Sequence, residues 1–62
     1  MLYLSEILIQ NPEMESFEDL KEVLVLCAKQ GELFFQMDVK PQYPDTPQSW
    51  EEQLEAVFTS VR

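Results

Sequence analysis

The chain has no histidine, a single cysteine, a single glycine, and only four basic residues against twelve acids. Each shortage removes a class of chemistry. Cys27 has no second thiol to pair with inside the chain, and one thiol without histidine cannot complete a tetrahedral zinc site. Nor is there an imidazole to draw a proton from Cys27, which falls on an apolar stripe away from any favourable helix N-terminus. It reads as a small buried hydrophobe rather than a nucleophile. With Gly31 alone, a glycine-rich phosphate loop cannot form.

The shortage of bases leaves a net charge of −8. Phosphate contacts are made by Lys and Arg, so this balance argues against direct binding to nucleic acid or to an anionic membrane. It suits a basic protein partner, or simply solubility. Long apolar runs are missing too. None approaches the ~20 residues of a membrane helix, and the N-terminus carries no positive leader, with Glu6 inside its apolar stretch. Together with the unpaired thiol, this places the chain in the cytoplasm.

What is present is a folding composition: 45% of residues are apolar, with four Phe, two Tyr and one Trp. Sixty-two residues make one small domain, 1–62. Such a chain buries only about 60% of the surface its unfolded form exposes, so its balance of burial against chain entropy lies near zero. With disulfide and metal excluded, tight packing or a homodimer is left to stabilise it.

Residues 2–10 allow two readings. Tyr3, Ile7 and Ile9 favour a strand; Leu4, Ile7 and Leu8 would share a helical face. The short length and the Asn11-Pro12 stop tip the reading to a strand. The next segment is a helix: Ser16 with Asp19 forms a capping-box-like start. Phe17, Leu20, Val23, Leu24 and Cys27 recur at helical spacing, and Gly31 supplies a left-handed stop. Glu18 and Asp19 sit at the positive end of its dipole and Lys29 at the negative end. Val25 and Leu26 lie off this stripe, where a helix with one buried face would carry polar residues.

Glu32–Lys40 reads as a strand, with Leu33, Phe35, Met37 and Val39 on one face and Phe34, Gln36 and Asp38 on the other. Pro41, Pro44 and Pro47 then recur every third residue. They form either a stiff connector that packs Tyr43 near Trp50, the favoured reading, or one edge of a polyproline II helix. A second helix follows, opened by Thr46 with Pro47 at its first position or by Ser49 with Glu52. Trp50, Leu54, Val57, Phe58 and Val61 form its apolar stripe, Glu51, Glu52 and Glu55 its opposite side, and Arg62 its end.

The order β-α-β-α gives an α+β module with a two-stranded sheet covered by two helices. A two-stranded sheet is marginal and has open edges, which dimerisation would complete. No carboxylate pair, calcium loop or metal cluster is arranged for catalysis or binding, so neither a cofactor nor enzymatic activity is expected. Excess apolar surface points instead to a regulatory or assembly module that binds protein, with Val25, Leu26, Phe34, Tyr43 and Trp50 as its contacts. The alternative is an acidic decoy that imitates nucleic acid through faces such as Glu51, Glu52 and Glu55.

Overall fold

A computed structural model of the chain describes residues 1–61. It holds β1 (Leu2–Tyr3), α1 (Leu4–Gln10), α2 (Phe17–Lys29), β2 (Phe35–Gln36) and α3 (Trp50–Ser60). The fold is mixed α+β: two parallel strands, in register Leu2↔Phe35 and Tyr3↔Gln36, with three helices. The single sheet has the order β1-β2. The role expected of Arg62 lies outside the described residues.

The main departure from the sequence reading is α1. Residues 4–10 are a helix, and only Leu2 and Tyr3 keep the extended backbone expected of the whole segment. Leu4 and Ile7 are buried and Leu8 is half-buried, so the helical face wins over the alternating one. Ile9, whose β-branching favoured a strand, is left 77% exposed. A further support for the helix start comes from far along the chain. The Asp38 carboxylate accepts from the Ser5 N–H at 3.1 Å and from its hydroxyl at 2.6 Å. This supplies a partner to one of the four N–H groups that a helix start leaves orphaned. At the other end, the Asn11 side chain donates to the Ile7 carbonyl at 2.9 Å, and Pro12 cannot continue the helix.

Helix α2 starts as its sequence implies. The Ser16 hydroxyl accepts from the Asp19 N–H at 3.1 Å, and the Asp19 carboxylate reaches back to the Glu15 N–H at 3.0 Å. A third contact was not visible in the local sequence: Asp45 accepts from the Phe17 N–H at 2.7 Å. At the far end Gly31 has φ +98° and its N–H bonds the Ala28 carbonyl at 3.2 Å. That left-handed conformation is one that a side chain would strain. On the exposed side, the Lys21 ammonium pairs with Glu18 at 3.0 Å and lies 5.8 Å from the centre of the Phe17 ring.

The Glu32–Lys40 strand shrinks to Phe35–Gln36, because β1 offers only two residues before turning into α1. Phe35 and Met37 pack toward the core, as the alternation implies, but Leu33 and Val39 remain exposed. The proline segment is no continuous polyproline edge. Pro41 is fully buried, while Tyr43–Thr46 closes into a turn through the Thr46 N–H and Tyr43 C=O at 3.1 Å. Pro44 takes the second position of that turn, where its fixed φ is favourable. The Thr46 hydroxyl accepts from the Tyr43 N–H at 3.2 Å, which leaves it committed to the turn.

Helix α3 begins at Trp50 with Ser49 at its N-cap position, one of the two starts expected, but without a capping bond from the Ser49 side chain. Ser49 has φ −89° and ψ 27° and makes no side-chain cap bond; a capping hydroxyl needs a more extended backbone to reach the first-turn N–H groups. Instead it accepts from the Gln53 side chain at 3.0 Å. Leu54 and Phe58 of α3 join Leu4, Ile7, Met14, Phe17, Leu20, Leu24 and Ala28 in one buried core. Phe58 stacks on Phe35, with ring centres 5.4 Å apart. The radius of gyration is 10.5 Å, against roughly 10.6 Å for a folded chain of this length. The accessible surface is 4191 Å², against about 4,170 Å² for a monomer of this mass. The chain thus closes its own core by gaining a third helix.

Candidate functional site

What remains is to ask which apolar groups the closed core leaves outside. Leu33 and Phe34 stand 58% and 66% exposed. They lie at the start of the β2 segment, where the chain passes from the Gly31 turn into the strand. With Phe35 and Met37 they form one side of an open groove of about 290 Å³; Glu55, Phe58 and Thr59 of α3 form the other. The floor is therefore aromatic, built on the Phe35–Phe58 stack. The Thr59 hydroxyl donates to the carbonyls of its own helix, to Glu55 at 2.9 Å and to Ala56 at 3.3 Å. Among the described residues, Glu55 is the charged group of the lining. Glu51 sits one turn earlier on the same side of α3, at the i, i+4 spacing that makes helix neighbours.

The residues singled out from sequence fall into separate places. Phe34 and Glu55 meet in the groove. Leu26 is 59% exposed, but at 100° per residue it stands on the face of α2 opposite Leu24 and Ala28. Val25 is half-buried on the flank of the same helix. Tyr43 and Trp50 are half-buried and pack against the core, so each is part support and part surface. Glu51 and Glu52 are exposed in the first turn of α3. Leu33, Phe35, Met37 and Phe58 were legible only as strand or helix stripes. Their membership in one groove needs the packing of β2 on α3, for which the local sequence holds no signal.

Two titratable groups near these residues respond to burial. Burial pushes the Cys27 thiol above its usual range, and the nearby Glu32 charge adds to the effect. Burial likewise raises Tyr43, helped by Asp19 and Glu13. Among the described residues, no three Cys, Asp or Glu gather closely enough to hold a metal ion, and no helix is long and apolar enough to cross a membrane. Lys21–Glu18 is the one ion pair among those residues, so the α3 carboxylates have no cation from a described Lys beside them. Comparison with protein-family models, with curated proteins and with solved structures finds no match to the chain.

Proposed function

We propose that the chain is a small, acidic intracellular module that binds protein and performs no catalysis, acting as a regulatory or assembly factor. The observation that carries this reading is the groove between β2 and α3. A chain that encloses nine of its described residues in its own core still leaves Leu33 and Phe34 outside, beside an aromatic floor. Two large apolar side chains exposed side by side, next to a carboxylate, support a docking site there. The two-stranded sheet also leaves open edges available to a further strand.

The experiment is capture of partners from the native cell extract at low and high salt, by the wild-type chain and by Phe34→Asp in parallel. An apolar interface holds its partner as salt rises, and Phe34→Asp loses it while keeping wild-type helicity. Equal capture by both proteins, or a chain that stays alone under both conditions, overturns the reading. Capture that disappears steeply with salt and ignores Phe34→Asp favours the acidic decoy instead.

A further inference from the structure

The groove also has a backbone side. Its lining takes Leu33, Phe34, Phe35 and Met37 from around β2 and nothing from β1, and in the two-stranded sheet the other flank of β2 has no strand beside it. The ladder identifies the groups on that flank. Leu2 donates its N–H to the Phe34 carbonyl at 3.0 Å, and Leu2 is the register partner of Phe35 in a parallel pair. Alternate residues of a strand turn their N–H and C=O to the same neighbour. Phe34 and Gln36 therefore face β1, and Phe35 turns both its backbone groups outward. Among the described residues, no bond from a turn, loop or cap reaches them. The flank thus combines an unpaired donor and acceptor with an apolar floor and the Glu55 carboxylate on the facing wall.

We propose that this flank takes an extended segment of a partner protein as a third strand, paired to Phe35 through the backbone. The segment carries apolar side chains over the Phe35–Phe58 pair and Lys or Arg beside Glu55. The inference rests on the protein-binding reading above and adds the mode of binding and the chemistry of the partner. Charge selects the occupant. The chain carries −8, and among the described residues no Lys lines the groove. A second copy would bring the same excess of acid to the same wall, whereas a basic segment meets a complementary one. Strand addition is a recurring mode of recognition in which main-chain bonds supply affinity and alternate side chains supply selectivity.

The test uses the full ¹⁵N-labelled chain and two capped heptapeptides, one alternating Lys and Val, the other alternating Glu and Val. The Lys peptide shifts the amides of residues 33–37 and 55–59 saturably. At a peptide concentration of ten times Kd it slows exchange of the Phe35 amide by about tenfold. The Glu peptide does neither, and Glu55→Lys weakens the Lys peptide by about tenfold. The proposal is overturned by any of four outcomes: no saturable shift up to millimolar Lys peptide, shifts without slowed Phe35 exchange, equal binding of the Glu peptide, or Phe35 protection that grows with the chain's own concentration in the absence of peptide. Failure of the strand mode alone is distinguishable from failure of the broader reading. If Phe34→Asp abolishes partner capture while the peptides leave Phe35 unprotected, protein binding stands and strand addition falls.

Discussion

Replacing Asp45 with alanine removes a helix cap that the chain supplies from 28 residues away. The Asp45 carboxylate accepts from the Phe17 N–H at 2.7 Å, at the first residue of α2. Hydrogen bonds to a charged group contribute about 1.5–3 kcal/mol when sheltered. Asp45 is exposed, so water replaces part of that, and loss of an ordinary cap costs about 1 kcal/mol. The expected loss is about 1–1.5 kcal/mol. Against a total of about 3–9 kcal/mol for a chain of this length, the effect is large. It lowers the Tm by about 5–10 °C. Urea unfolding followed by far-UV circular dichroism and by the fluorescence of half-buried Trp50 measures it. Asp45→Asn keeps an acceptor oxygen and loses roughly half as much. Ser16→Ala, which removes the cap on the Asp19 N–H, costs about 1 kcal/mol separately. A stability for Asp45→Ala within about 0.3 kcal/mol of wild type, well below a normal cap, would refute the claim that the proline loop holds α2.

Four further outcomes follow from the same structure. The bonds from Ser5 hold the Asp38 carboxyl below the usual carboxylate range. The clasp is thus fully present above about pH 4, the unfolded carboxylate range, and is lost as pH falls through the lower folded value. Asp38→Asn should flatten the acid side of the stability profile, read by thermal unfolding from pH 6 to pH 2. Phe58→Ala removes a 4% exposed ring that stacks on Phe35; it should cost about 3–5 kcal/mol, read as a large drop in the urea midpoint by circular dichroism. Leu26→Asp, on the exposed face of α2, should cost less than about 1 kcal/mol; unfolding of this variant would place Leu26 in a buried contact. The Cys27 thiol, raised by its burial, should react with iodoacetamide at pH 8 more slowly than free cysteine and catch up in urea.

The parts of the fold that were legible are those settled by neighbours in sequence. Ser16, Asp19 and Gly31 delimit α2 because a cap and a left-handed stop act within four residues. The α3 stripe of Leu54 and Phe58 was equally readable. Residues 2–10 were misread because Ile7 and Ile9 favour a strand locally, while the group that caps the helix, Asp38, lies 33 residues away. Tertiary contact overrode propensity there. The same distance hid the purpose of the proline loop. Pro41 is buried and Pro44 shapes a turn, and the segment around them carries Asp38 and Asp45, which bond the starts of α1 and α2. As for the candidate site, Phe34 was visible as an aromatic on the wrong face of a strand. That it shares a groove with Glu55 and Phe58 depends on where α3 packs, which no spacing encodes.

The proposed function requires the chain to meet its partner at the β2–α3 groove. Amide hydrogen exchange of the full chain, alone and saturated with the protein captured from its native extract, tests that directly. Slowed exchange confined to residues 33–37 and 55–59, with the Leu26 face of α2 unchanged, is the predicted result. Protection centred on residues 22–26 with none in the groove would contradict it.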